Sequence, residues 1–261
     1  MKKKILIWAG ISVLAVLLIA LVVVGLFLGN IVKTGMETVG PKITLTTLTV
    51  DSVNVSFTGS AGVNGLVLGN PEGYKTTNAI SVGKAAVSVA PGSVLGSKIV
   101  IHSVEVKAPE ITFEGNPFGE NNLKKIMDNV NTFTGGGNKA ATTNTPASSQ
   151  GKGASKKLQV DHFLISGAKV HVSLTGMGGK ELDLVLPPIE FNNLGDGPDG
   201  ITAADLTKKV LGQITTDTIK AVGIAVTDLG KDVGNLGKDA GKTVGTGVDK
   251  LKKGIGGLFG K

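Results

Sequence analysis

Between Val53 and Glu114 the chain alternates. Val53, Val55 and Phe57 share one parity while Ser52, Asn54, Ser56 and Thr58 share the other, the period of two that sends successive side chains to opposite faces of a strand. The alternation continues through Val63–Leu68 and Ile80–Val89, where the apolar residues change parity near Lys84-Ala85-Ala86, as a bulge or a two-sided strand requires. Ile99–Val106 is mixed, and Ile111 and Phe113 alternate cleanly with Glu110, Thr112 and Glu114. Upstream, Ile43–Val50 begins the strands weakly: Ile43 and Leu45 share a parity that Leu48 and Val50 do not. Two turns punctuate the block. Asn70-Pro71 places Asn and Pro at the first two turn positions, and Pro91-Gly92 suits a type II turn with positive φ at the glycine. A sheet apolar on one face must find cover for that face.

Later segments extend the pattern and then change its period. Asn121 is expected to cap a short helix from Asn122 to Phe133, with Leu123, Ile126, Met127 and Val130 on one stripe. Residues 134–155 lack large apolar side chains and read as a linker. Strands resume at Leu158: Val170, Val172 and Leu174 oppose Lys169, His171 and Ser173, Leu182 and Leu184 alternate with Glu181 and Asp183, and Ile189 and Phe191 close the set. Pro187-Pro188 suits an edge strand. Thr202 can cap a helix from Ala203. From Val222 the apolar positions Val226, Leu229, Val233, Leu236, Ala240, Val244, Val248, Leu251, Ile255 and Leu258 recur about every 3.6 residues, an amphipathic helix. Its many glycines each cost about 1 kcal/mol relative to Ala. The stripe therefore needs a lipid surface or the sheet's apolar face to order it, and Val226, Leu229, Val233, Leu236, Leu251, Ile255 and Leu258 are its candidate membrane-facing residues.

At the other end, Met1-Lys-Lys-Lys4 precedes an apolar run from Ile5 to Leu28. At about 1.5 Å per residue it spans roughly 36 Å, more than a hydrocarbon core of about 30 Å and longer than a secretory signal's apolar region. A single-pass anchor is expected, its lysines cytoplasmic and the residues beyond about 30 outside. The organisation expected is thus a cytoplasmic tail over 1–4, an anchor over 5–28, strands with a short helix over 41–133, a linker over 134–155, further strands of the same sheet over 156–194, and a helical tail over 201–261.

Composition narrows the function. The formal charge of +7 is carried by lysine, and the sparse aromatics and absent arginine forks argue against nucleic-acid readout and favour anionic lipid. There is no cysteine, hence no disulfide and no thiolate chemistry. His102, His162 and His171 sit on separate strands without convergent ligands, so no metal or other cofactor is expected. Asp51, Glu105 and Glu110 lack acid–base spacing, and Gly135-Gly-Gly137 lacks the ending of a phosphate loop. Nothing argues for an enzyme.

Leu66-Val-Leu-Gly-Asn-Pro-Glu-Gly-Tyr74, Ser93-Val-Leu-Gly-Ser-Lys-Ile-Val-Ile-His-Ser-Val-Glu-Val-Lys-Ala-Pro-Glu-Ile111 and Gly119-Glu-Asn-Asn-Leu123, in this order behind an amino-terminal anchor, resemble the amino-terminal domain of AsmA-like proteins. The likeness covers about residues 1–130. It implies a bacterial inner-membrane protein with a periplasmic β-groove, a curled, taco-like half-barrel of antiparallel and mixed strands. It also implies membrane lipids, phospholipid among them, as partners in transport or outer-membrane assembly. Acyl chains would then lie along Val53, Val55, Phe57, Ile111, Phe113, Val170, Val172, Leu174, Leu182 and Leu184. Ten strands at about 4.8 Å make a groove of roughly 45 Å, too short to join two membranes alone, which points to an accessory, a shuttle, or one piece of a self-associating or envelope-protein assembly. The competing reading is a structural or stress-protective envelope protein: a packed β-sandwich, resembling water-stress domains that also use an Asn-Pro turn, with an amphipathic tail.

Overall fold

A computed structural model describes residues 27–135, 156–174 and 181–228. It is mainly β: one curled mixed sheet forms a half-barrel, accompanied by three helices. The strands are β1 (Leu48–Thr49), β2 (Ser52–Val55), β3 (Ser60–Gly69), β4 (Asn78–Val89), β5 (Lys98–Lys107), β6 (Glu110–Gly115), β7 (Lys157–Ser166), β8 (Lys169–Leu174), β9 (Glu181–Val185) and β10 (Ile189–Leu194). Helix α1 covers residues 27–44, α2 Asn122–Phe133 and α3 residues 203–228. The expected start of strand at Ile43 is corrected: Ile43 and Thr44 form the last turn of α1, which stops where Leu45 takes a left-handed φ of 52°.

The ten strands occupy only six rows. β5 and β6 follow one another along β4, pairing Val106 with Ala85 and then Glu110 with Ser81. β7 and β8 follow one another beside them in parallel, Ser166 opposite Lys107 and Lys169 opposite Glu110, and the ladder bridges the gap: Ala108 N–H donates to Ser166 O at 2.7 Å and Lys169 N–H to Pro109 O at 2.9 Å. β9 and β10 do the same on the outside, Leu186 N–H donating to Ala168 O at 2.9 Å. β1 and β2 repeat it along β3. Across six rows the sheet is therefore about 24 Å wide at about 4.8 Å per row, about half the width expected from ten strands laid side by side.

Four of the six rows break at the same level, and β3 and β4 run through it. The registers on either side place Asp51, Gly65, Gly83, Ala108, Gly167 and Pro187 along one line across the sheet. Gly65, Ala108 and Gly167 have φ of 61°, 47° and 65°. A left-handed residue interrupts the pleat and turns the next side chain over. The inner face accordingly takes Leu68, Leu66, Ile80, Val82, Ile111 and Val170 below this seam, and Val63, Ala61, Ala85, Val87, Val106, Val104, Ile165 and Phe163 above it. The parity change near Lys84-Ala85-Ala86 is one crossing of a seam that all the rows share. Breaks of this kind, aligned, let a sheet curl.

Helices cover the lower half. Leu123, Ile126 and Val130 of α2 and Ile214 and Val222 of α3 form one buried cluster with Leu68, Ile80, Ile111, Phe113, Val170, Val172 and Leu186. Both helices start where side-chain chemistry directs: Asn121 Oδ1 accepts from Lys124 N–H at 2.9 Å, and Thr202 Oγ1 accepts from Asp205 N–H at 3.0 Å. Helix α1 runs antiparallel to the outermost row, so close that a Cβ on Gly29 would lie 2.1 Å from Val53 O and one on Gly40 2.7 Å from a Leu48 methyl carbon. Glu37 accepts the Val50 N–H at 2.9 Å, and Lys33 donates to the carbonyls of Val50 and Asp51.

The turn after Asn70 is held from below. Glu114 is buried and accepts Lys75 N–H at 2.8 Å, Thr76 N–H at 2.9 Å and Thr76 Oγ1–H at 2.7 Å. Asn122, fully buried, donates to Asn70 Oδ1 and Thr112 O, both at 2.7 Å. Burial pushes the Glu114 carboxyl up, but the bonds from Lys75 and Thr76 outweigh it and hold the group below its ordinary value. A lowered folded value means that the carboxylate's contribution is complete above the unfolded value of about 4.3. It disappears as pH falls through the folded value. Glu114→Gln should therefore cost about 1–3 kcal/mol in urea unfolding at pH 7, with the gap to the parent narrowing at pH 3. The Pro91-Gly92 expectation is corrected: Pro91–Leu95 is a 3-10 turn with Pro in its first turn, and Gly92 lacks positive φ.

Candidate functional site

Two rows of the inner face above the seam run unbroken across the sheet. One passes Val53, Val63, Ala85, Val106, Ile165 and Ile189; the next passes Val55, Ala61, Val87, Val104, Phe163 and Phe191. Each neighbour is a direct cross-strand partner, so every side chain in a row faces the same way. At one end the rows are sealed, with Ile165 and Ile189 buried and Phe163 meeting Phe191 edge to face at 6.1 Å. At the other end Val53, Val55, Ala61, Val63, Ala85, Val87 and Val104 are half-buried and lie outside the cluster that α2 and α3 cover. They form a shallow aliphatic trough that neither α2 nor α3 covers. The other face of the same strands is mixed: Ser52, Asn64 and Lys84 align, as do Ser60, Ser88, Ser103 and His162, while Ile101 pairs with the fully buried Val160 and Glu105 with Leu164.

Beyond the second row, on the trough side by alternation, His102 Nδ1 meets Asp161 Oδ2 at 3.0 Å and Gln159 donates to Asp161 Oδ1 at 2.8 Å. The Gln159 hydrogen bond, then that of His102, holds the Asp161 carboxyl below its usual range. His162 and His171 pair likewise with Glu190 at 3.1 Å and Asp183 at 2.7 Å. Each histidine thus joins two neighbouring strands, and among the described residues no group of three or more His, Asp or Glu could hold a metal ion.

Of the residues expected to line a groove, only Val53 and Val55 belong to the trough. Ile111, Phe113, Val170 and Val172 are buried beneath α2 and α3, and Leu182 and Leu184 pack against that core, so a ligand reaches them only if the helices move. Phe57 lies in the turn past the end of β2 and is 46% exposed. Leu174 ends β8 opposite Gly115, its side chain outside the described residues. Val226 is corrected: it packs against the sheet's core rather than facing outward. Leu229, Val233, Leu236, Leu251, Ile255 and Leu258 lie outside the described residues. The trough residues that sequence reading did not single out, Ala61, Val63, Ala85, Val87 and Val104, are small, and Gly62 and Ala86 between them blunt the alternation.

A second concavity, about 440 Å³, lies between Pro117, Phe118 and the α3 residues Ile219, Lys220, Gly223, Ile224, Thr227 and Asp228. Among the described residues no helix is long and apolar enough to cross a membrane; the run Ile5–Leu28 falls almost wholly outside them. No protein-family model, curated protein or solved structure matches the chain.

Proposed function

We propose that this protein is a membrane-tethered half-barrel that shelters lipid acyl chains, an AsmA-like accessory in phospholipid transport or outer-membrane assembly, anchored by Ile5–Leu28 in a bacterial inner membrane with its bulk on the periplasmic side. The observation that carries the reading is the pair of apolar rows extending past α2 and α3 at one end of the sheet, half-buried among the described residues. An aliphatic surface left half-buried is matched by an acyl chain, each buried methylene contributing about 0.8 kcal/mol. A sheet about 24 Å wide shelters one or two chains and does not bridge two membranes alone, so a shuttle or a subunit of a larger assembly fits best.

The test is lipid extraction and mass spectrometry of the full chain purified without added lipid; phospholipid beyond the boundary lipid of an unrelated single-pass protein is expected. A fragment starting at residue 41 is unsuitable, because α1 supplies Lys33, Glu37 and Gly40 to the first sheet row. Val53→Asp should abolish the excess lipid while lowering stability only modestly, since Val53 is half-buried on the outermost row. The closed core under α2 and α3 favours a second reading, a structural envelope protein. On that reading the purified chain carries no excess lipid and Val53→Asp changes nothing but its melting temperature.

A further inference from the structure

The end of the sheet at which the trough opens gathers apolar side chains that stand exposed among the described residues. Leu95 is 93% exposed and Val94 38%, both in the 3-10 turn between β4 and β5. Phe57, 46% exposed, stands on the turn from β2 to β3. The two turns are neighbours: Val89 N–H donates to Gly59 O at 2.7 Å, and a Cβ on Gly59 would lie 3.1 Å from the Pro91 ring. Helix α1 points its amino-terminal end the same way, since Gly40 lies at Leu48 and Gly29 at Val53. There it exposes Phe27 and Ile31, 68% and 56%, and there the apolar run Ile5–Leu28 joins it. Lys156 donates to the carbonyl of Val94 itself, and Lys98 and Lys157 stand at the starts of β5 and β7. Asp196 and Asp199 occupy the loop that Lys98 reaches at Gly197 O, so charge assists and apolar insertion leads.

From this coincidence we infer that the tip formed by Phe57, Val94 and Leu95 inserts into the interface of the bilayer that holds the anchor, with Lys156 at the level of anionic headgroups. A large apolar residue left almost fully in water on a turn is matched by the headgroup–acyl boundary, where a buried side chain is rewarded and a nearby lysine meets lipid phosphate. The trough then opens toward the membrane instead of away from it. The inference rests on the anchor reading, and the experiment separates the two.

Because the chain has no cysteine, Leu95→Cys, Phe57→Cys and, at the opposite end, Glu72→Cys each create a unique label site. The full chain carrying an environment-sensitive nitrobenzoxadiazole label is reconstituted into vesicles of phosphatidylethanolamine and phosphatidylglycerol containing lipid spin-labelled near the headgroup. Flotation with the vesicles tests the anchor. Quenching severalfold stronger at positions 95 and 57 than at 72, with a blue-shifted emission, is the expected result. Leu95→Asp together with Val94→Asp should then reduce quenching at 57 to the level of 72 without altering the circular dichroism spectrum, as both side chains are exposed. Flotation with equal quenching at all three sites overturns the tip insertion and leaves the anchor standing; failure to float overturns both.

Discussion

Phe113→Ala is expected to lower the free energy of unfolding by about 3–5 kcal/mol, the range for removing a buried aromatic ring. Phe113 is fully buried, sits opposite Val172 on the parallel strand β8, and lies in one cluster with Leu123, Ile126 and Val130 of α2. The two strands and the helix around it resist collapse because each is fixed elsewhere: β6 by its ladder to β4, α2 by Asn122. Phe163→Ala removes the same atoms above the seam, from a ring that is half-buried and paired with Phe191. It should cost clearly less. Urea titrations of both variants measure the difference. Equal losses would show that the division into a sealed lower half and a half-open upper half does not hold in solution.

The second large effect is at the seam. Gly65→Val should destabilise the protein by about 2–4 kcal/mol, combining roughly 1–2 kcal/mol for a left-handed non-glycine residue with the strain of a blocked site. At Gly65, φ is 61°, and a Cβ would come within 1.9 Å of Asp51 Oδ2 and 2.8 Å of Asp51 Cβ. The carboxylate can swing away; the Cβ moves only with its backbone. At Gly83, exposed at the same level on the next strand, an added Cβ meets no atom within 4 Å, and Gly83→Val should change stability by no more than about 0.5 kcal/mol, as surface substitutions usually do. Thermal unfolding of the pair distinguishes a seam built from backbone conformation from a row of residues that are merely small. Indistinguishable melting temperatures would remove the first explanation.

How much of this was legible in the sequence follows from how local each signal is. Asn121 and Thr202 were readable because a cap is a bond between residues three apart. The parity change at Lys84-Ala85-Ala86 was readable too, but alone it could mean a bulge. Its meaning emerges only when Gly65, Ala108 and Gly167, distant in sequence, fall on one line, and that alignment is fixed by pairing, which no local pattern encodes. The parallel pairing of β5 with β7 is hidden for the same reason, since Val104 and Phe163 are joined through a long connection. The Pro91-Gly92 turn was misread because proline suits the start of a 3-10 turn as well as a type II turn. Helical periodicity from Val222 onward was real as far as Val226, yet a stripe of valines does not say whether lipid or sheet will cover it. Here Val222 is sealed against the sheet's core and Val226 packs beside it.

Helix α1 has a consequence for how copies of this protein can associate. The sheet has two lateral edges, the row of β1 and β2 and the row of β9 and β10. The first is occupied by α1, where Glu37 takes the Val50 N–H and glycines let the helix lie against the strand. The second carries Pro187 and Pro188 at mid-row, which have no N–H to offer. Neither edge presents an uninterrupted ladder to a neighbour, so stacking of copies into a continuous ribbon is disfavoured at both sides.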